Sequence, residues 1–522
     1  MTAVTEPPKT QADLRFVWRH ALWPLALSAL LIALLMIAHA GYLSSGGLRI
    51  YDEFHTLDRS SSFEAHGTWW TTYSFQEPIF RKPPLQYWMT AGFLQTDLEF
   101  LTALRLPSFL FAALALAAVG LLAAAVLPGQ PWAIPAAVLI FAGSAQFWHF
   151  ALSAMLETGA VAFATASLAA AILATRQPAW WYACAAFVSL GALQKAPIGL
   201  VLVAVYLWAL RRTEARHGLS WARIKHHPAF RRALRIAIVG VLAWLVLQTL
   251  LHGPAALWEF FGKQMVERFA PTGLVTRPRG PGTLYDLLIV GEPALRLSGA
   301  AALALLPWYA RRPDLWPLAI TAGIGAAGIA LAAGHVTDRY ALSLVPITSV
   351  ALAALILTAA RRLPRPWPAP VASTGVALVS AISLGPVTTR ADLALETTDN
   401  YARQMEFMAR VGSALQPEET LVVCTRGGPH RPVPALASHF GANGRPFIRL
   451  DSMRRLDQYR EAGDLIGPLR GLCTHDDLAF FAPRLTGLVE VADLPPYVMW
   501  TAEGTDGPDQ GSRGLPAASQ AN

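Results

Sequence analysis

Charge is what this sequence has least of. Asp, Glu, Lys and Arg make up 15% of its 522 residues, and 54% of the residues are apolar, whereas ordinary soluble domains carry roughly 25% charged residues. The mean hydropathy of +0.38 agrees, and together these values exclude a chain built only of soluble domains. No P-loop, dinucleotide fingerprint, zinc-ligand spacing or nucleophile elbow occurs in the context each needs. Residues 1–20 are polar, contain Pro7 and Pro8, and are followed by an apolar block without a small-residue cleavage site. The first block is therefore expected to stay as an anchor rather than leave as a signal peptide. Cysteine is scarce too, at three residues: Cys184 falls inside an apolar block and reads as filler, while Cys424 and Cys473 fall in a common polar region and form a candidate disulfide.

What is abundant is apolar sequence in blocks of about 17 to 25 residues, the length that crosses ~30 Å of hydrocarbon as a helix. Such blocks lie near 21–43, 103–127, 131–147, 152–174, 178–193, 196–211, 232–252, 284–308, 314–334, 339–360 and 367–387. They predict a polytopic α-helical membrane protein of about eleven transmembrane helices. The formal charge of +8 invites a nucleic-acid reading, but the placement of the basic residues decides against it. Arg211 to Arg235 form one basic connection, and Arg176, Arg311, Arg312, Arg361, Arg362 and Arg365 lie in others. With Lys9, Arg15 and Arg19 on the cytoplasmic side, counting spans puts every one of these connections on that side as well, which is the positive-inside pattern. The expected place is a bacterial inner membrane with the N-terminus cytoplasmic. His226-His227 sits in the basic connection and reads as solvated charge near anionic headgroups rather than a metal pair.

The domain reading has four parts: a cytoplasmic tail over 1–20, a membrane domain over 21–387, a soluble α/β domain over 388–500 outside the membrane, and a disordered tail over 501–522. Two long external loops, 44–102 and 253–283, interrupt the membrane domain. The second contains Arg277-Pro278-Arg279-Gly280-Pro281-Gly282, the composition of a mobile lid. In the C-terminal part, Thr420 to Cys424 and Gly487 to Val491 read as strands among helical stretches.

The first loop holds the residues that can carry chemistry. Asp52-Glu53 follows the first span closely, so it sits at the external interface, where carboxylates are either solvated or held for a purpose. Some thirty residues on comes Phe80-Arg81-Lys82-Pro83-Pro84-Leu85-Gln86-Tyr87-Trp88, in which two prolines fix the turn after a cationic pair. Gly67 and Trp69 lie between, and Arg105-Leu106-Pro107-Ser108 enters the second span. In order and spacing these pieces resemble the GT-C class of membrane glycosyltransferases that includes protein O-mannosyltransferases and lipid A aminoarabinose transferases. Weaker matches are Glu157, the Lys195 to Leu200 turn, Glu267-Arg268-Phe269, and Arg339-Tyr340 followed by Pro346.

The resemblance implies a sugar donor carried on a polyprenyl phosphate, a lipid or glycan acceptor and a catalytic first-loop aspartate, which is Asp52 here. A base must take the acceptor's proton as its oxygen attacks the anomeric carbon, and a carboxylate beside a lipid interface is partly desolvated and so more basic. Glu157 is the second catalytic candidate, orienting the acceptor or assisting the base, or else a carboxylate snorkelling to the membrane edge. Lys82, Arg339, Tyr340 and Arg59 are candidates for the donor phosphate, where cations meet charge developing on the leaving oxygen. Glu53, His55 and Arg268 are supporting candidates, and Lys195 either serves the site or snorkels. Aminoarabinose transferases hold a metal between a glutamate before the turn lysine and a histidine of the second loop; the matching positions here are Arg81 and Met265, so no metal is predicted. A transporter or a non-catalytic envelope-glycan assembly subunit is the alternative function, although the ionisable residues gather at one membrane face and no repeat relates the two halves.

Overall fold

The computed structural model describes residues 11–45, 51–74, 77–214, 220–266, 315–331, 342–364, 370, 372–377, 410–411, 413, 419–424, 447–450, 452–462, 466–494 and 497–505. The chain divides into two compact units, one of residues 1–56 and 79–399, the other of residues 57–78 and 400–522.

The first unit is helical. Its described elements are α1 (Gln11–Ala40), the first turns of α2 (Tyr51–Ala65), α3 (Leu85–Leu94), α4 (Phe100–Val126), α5 (Ala133–Ala142), α6 (Ala145–Ala151), α7 (Leu156–Ala174), α8 (Trp180–Gln194), α9 (Ile198–Arg212), α10 (Trp221–His226), α11 (Pro228–His252), α12 (Trp316–Leu331) and α13 (Val345–Ala360). After α11 comes one turn, Ala255–Leu257, and then a π-helix, Trp258–Val266. Among the described residues, five helical stretches are long and apolar enough to cross a membrane: Leu22–Ala40, Phe100–Val126, Leu156–Ala174, Pro228–His252 and Leu342–Ala360. The chain is a multi-pass membrane protein.

The expected block over 131–147 is broken. Gly143 ends α5, and the hydroxyl of Ser144 caps α6 by accepting from the Phe147 amide, which satisfies a donor that the helix start would leave open. The helices α8 and α9, of 15 residues each, rise only about 22 Å, less than the full hydrocarbon thickness. Blocks 284–308 and most of 367–387 lie outside the described residues.

Burial ranks these helices. The membrane-length window of α7 is 94% buried, whereas those in α1 and α11 are 11% and 22% buried, so α7 is the centre of this unit and the other two present apolar side chains outward. The reason is side-chain size: α7 is rich in Ala, and small residues let helix backbones approach closely where lipid gives no hydrophobic drive to associate. The approach is close enough that a Cβ on Gly199 of α9 would stand 2.8 Å from the Ser167 hydroxyl of α7. At Gly240 of α11 it would collide with the hydroxyl of Ser189 in α8.

The second unit contains the later turns of α2, a two-stranded ladder of β1 (Tyr73–Ser74) and β2 (Glu77–Pro78), and a sheet with helices. Its elements are β3 (Thr420–Cys424), β4 (Phe447–Leu450), α14 (Met453–Ala462), β5 (Ile466–Thr474), α15 (His475–Phe481), β6 (Leu485–Thr486), β7 (Val489–Leu494) and β8 (Tyr497–Thr505). The order runs β4-β3-β5-β8, with β6 and β7 both pairing β8. Strand β3 is parallel to β4 and β5, and β5 is antiparallel to β8. Strands β4 and β5 flank β3 and run parallel to it, so the chain between them must cross over, and α14 lies in that connection. Trp500, fully buried, donates its indole N–H to Cys473 Sγ, which is bonded to Cys424. Arg470 grips the Glu419 carboxylate with two nitrogens at 2.8 and 3.1 Å. The expected disordered tail from 501 starts too early: Thr501, Ala502 and Gly504 pair with Arg470, Leu469 and Ile466, so backbone pairing carries the strand on to Thr505.

Candidate active site

The site is built around a break in the helices of the first unit. Between α6 and α7, residues Ser153, Ala154 and Met155 leave helical hydrogen bonding while fully buried or nearly so. Backbone groups freed in such a place must find partners inside the protein. Side chains from three other elements, α2, α4 and α8, supply partners for this stretch of backbone. Glu53 of α2 accepts the Ala154 amide at 2.9 Å, and Thr56 donates its hydroxyl to the Ala154 carbonyl at 2.7 Å. Ser108 of α4 accepts the Met155 amide at 3.0 Å and donates to the Met155 carbonyl at 2.9 Å. Gln194, at the end of α8, donates to the Leu156 carbonyl at 3.2 Å and to Gln86 Oε1 at 2.9 Å, and Gln86 of α3 donates to Ser108 at 2.9 Å.

The same Glu53 carboxylate is paired with Arg105, and both side chains are 0% exposed. Arg105 Nε donates to Oε1 at 2.9 Å, and its Nη1 donates to the carbonyls of Leu43 and Ser45 at 2.8 and 2.9 Å. The planar, five-donor guanidinium suits this work, because it joins one carboxylate and two carbonyls at fixed angles. One arginine of α4 thus ties together the end of the first span, the start of α2 and, through Glu53, the α6–α7 break. Glu53 is a structural acid of the frame.

Glu157 lies in the first turn of α7, and Lys195 is the C-cap residue of α8. Their side chains form a buried ion pair between Glu157 Oε1 and Lys195 Nζ, with exposures of 5% and 9%. An anion at a helix N-terminus and a cation at a helix C-terminus each complement the local dipole. Glu157 does not snorkel to the membrane edge, and neither does Lys195. Gly159, two residues on, has no room for a side chain: a Cβ there would stand 2.5 Å from Gln194 Nε2.

The turn at Lys82 is seated beside the end of α11. Phe80 is buried against Trp244, Leu245 and Ala256, and its ring meets His252 at 5.1 Å. Glu259 of the π-helix accepts the Phe80 amide at 3.2 Å and Arg81 Nε at 2.7 Å. Pro83 and Pro84 follow, both buried, and α3 starts at Leu85. Lys82 is half-buried between these fixed points.

The remaining candidates divide by where the description ends. Asp52 is the second residue of α2, and its side chain lies outside what is described. His55 is half-buried on the same helix in the first unit, whereas Arg59 belongs to the second unit's part of it. Arg268, Arg339 and Tyr340 lie outside the described residues, as does the side chain of Met265. Sequence reasoning missed Glu259, the Glu157–Lys195 partnership and the Gln86–Gln194 bond. The polar Gln194 at the end of an apolar helix was the available signal, since an amide in such a place requires a partner.

In the second unit, Asp58 accepts the Ser74 hydroxyl, Ser62 accepts the Tyr73 amide at 3.1 Å, and His66 stacks on Tyr73 at 3.8 Å. Burial lowers the His66 pKa below the ordinary imidazole value, because the charged ring loses solvation there. Gly67 follows at φ 60°, a left-handed turn that suits glycine.

No family model matches the chain, and no curated protein sequence matches it significantly. Solved structures do. The crystal structure of ArnT from Cupriavidus metallidurans bound to undecaprenyl phosphate superimposes with a TM-score of 0.63 at 18% identity, covering 91% of this chain and 97% of that one. The apo state of the same protein gives 0.60 at 17% identity with the same coverage. The Archaeoglobus fulgidus oligosaccharyltransferase in complex with Zn and sulfate gives 0.50 at 14% identity, covering 92% of this chain and 73% of that one. The identities are low and the coverage is nearly complete, so what is shared is the architecture: the chain has the fold of the GT-C class membrane glycosyltransferases.

Proposed function

We propose that this protein is an inverting glycosyltransferase that moves a sugar from a polyprenyl-phosphate donor to a cell-envelope acceptor, a lipid, a glycan or a protein hydroxyl. The observation that carries the proposal is the buried frame on which Asp52 is mounted. The neighbouring Glu53 locks the start of α2 to Arg105 and to the Ala154 amide, and such fixing is what a catalytic group needs, since productive geometry tolerates little displacement. The likeness to a protein crystallised with undecaprenyl phosphate supports the donor class.

In the reaction, the acceptor hydroxyl attacks the anomeric carbon from the face opposite the phosphate. Its proton passes to the Asp52 carboxylate, the bond between the anomeric carbon and the phosphate oxygen breaks, and polyprenyl phosphate leaves with the electron pair. Lys82, Arg339 and Tyr340 stabilise the charge growing on that oxygen. Glu157, held by Lys195, orients the acceptor. Arg268 and His55 support the two sides of the site.

The active site faces the periplasmic side of the inner membrane, with the N-terminus in the cytoplasm. The Cys424–Cys473 disulfide supports this orientation, because such bonds persist in oxidising compartments. The α/β region over 388–500 then lies on the same side as the reaction. Reconstituted protein given radiolabelled sugar on polyprenyl phosphate and an envelope extract is expected to label an acceptor with inverted anomeric configuration. Accumulation of labelled donor inside sealed vesicles without any transfer would instead identify a transporter.

A further inference from the structure

We propose that Glu259 is a positioning residue for Lys82, acting as a clasp between the first external loop and the π-helix that follows α11; the inference rests on the proposed donor class. One carboxylate holds two successive residues, the Phe80 amide at 3.2 Å and the Arg81 guanidinium at 2.7 Å, immediately before Lys82. On the other side Pro83 and Pro84 are buried and lead directly into α3. The backbone of Lys82 is thereby fixed from both sides, while its own side chain stays half-exposed.

Stability alone is a poor explanation for the clasp. Arg81 and Glu259 have side chains 47% and 17% exposed, and ion pairs that water can screen contribute little to folding. The burial of Phe80 against Trp244, Leu245 and Ala256 already anchors the segment. What the carboxylate adds is direction, because two hydrogen bonds fix the orientation of the backbone at Phe80 and Arg81. The host helix is also unusual. A π-helical turn is rare and is found frequently at functional sites, and Glu259 is its second residue. Gly262 is needed there, since a Cβ would meet the Trp258 ring at 2.6 Å.

The test measures binding of polyprenyl phosphate alone, separately from sugar transfer, for wild type, Glu259→Ala, Lys82→Ala, the double variant, and the exchange Arg81→Glu/Glu259→Arg. Thermal unfolding in detergent checks that each is folded. Glu259→Ala is expected to weaken binding about tenfold, with unfolding little changed, and to add less than about twofold in the Lys82→Ala background, since coupled residues do not add. The exchange restores the ion pair but not the acceptor for the Phe80 amide, because a guanidinium only donates, so it is expected to recover only part of the loss. If Glu259→Ala does not fold, Glu259→Gln replaces it, because the amide can still accept from Phe80 while the charge facing Arg81 is gone. Unchanged binding in the Glu259 variant, full additivity with Lys82→Ala, or wild type that does not bind polyprenyl phosphate would each overturn the clasp. Wild type that binds polyprenyl phosphate but transfers no sugar would sink the proposed reaction and leave the clasp standing on its binding data.

Discussion

Replacing Arg105 by Met removes the guanidinium while keeping a long apolar side chain, and it isolates what the buried frame is worth. Glu53 would be left as a carboxyl with 0% exposure and without its counter-charge, and the carbonyls of Leu43 and Ser45 would each lose a donor. Breaking a buried pair by removing one partner costs roughly 3–5 kcal/mol. The instructive comparison is Glu53→Leu/Arg105→Met. Replacing a buried pair by apolar groups is often neutral, but here the Ala154 amide and the carbonyls of Leu43 and Ser45 would each lose a partner, at about 1–3 kcal/mol for a polar group left buried and unsatisfied. The double variant should therefore stay at least about 2 kcal/mol below wild type, and Glu53→Gln, which keeps an acceptor for Ala154 but leaves the buried Arg105 charge without a counter-charge, should also fall below wild type. Equilibrium unfolding in mixed detergent and dodecyl sulfate micelles, followed by tryptophan fluorescence, measures the series. A double variant as stable as wild type, or Arg105→Met within about 1 kcal/mol of it, would refute the view that this pair exists to satisfy the α6–α7 break.

Two further predictions concern single positions. Gly159→Ala places a Cβ 2.5 Å from Gln194 Nε2 and should cost about 1–3 kcal/mol as the bonds to Gln86 and the Leu156 carbonyl break; adding Gln194→Ala removes the clash, and a double variant no better than Gly159→Ala would show that Gln194 is not the obstacle. His66 has its pKa lowered by burial, so the unfolded chain binds the proton more readily and stability rises with pH. Its contribution is intact above about pH 6.5, fades as pH falls toward the lowered folded value, and changes no further below it. His66→Phe should therefore gain on wild type as the pH is lowered through that window, measured by thermal unfolding at a pH series; a variant that gains as pH rises would reverse the assignment.

Much of the membrane architecture was legible because hydrocarbon leaves a strong imprint on composition. The block at 152–174 became α7, and 103–127 became α4, with ends differing by a few residues. The block at 131–147 was misread as one helix because Gly143 and Ser144 are tolerated in apolar runs, and only the Ser144 cap reveals the break. The motif around Lys82 was legible as a rigid turn from its two prolines. The partner that holds it, Glu259, is 178 residues away from Arg81, and no local pattern announces such a contact. Glu53 was read as support for catalysis, and the structure makes it the acid of a buried frame, since an adjacent carboxylate pair does not disclose which member turns inward. The same holds for Glu157, whose partner across α8 decides between snorkelling and burial.

The most direct test of the account is sugar transfer from a polyprenyl-phosphate donor by purified wild type and Asp52→Asn, compared at equal thermal stability. The account predicts transfer by wild type and a loss of about a hundredfold or more in the variant, the scale on which a positioned general base acts; an Asn variant that transfers as fast as wild type would contradict it, because the base would then be another residue.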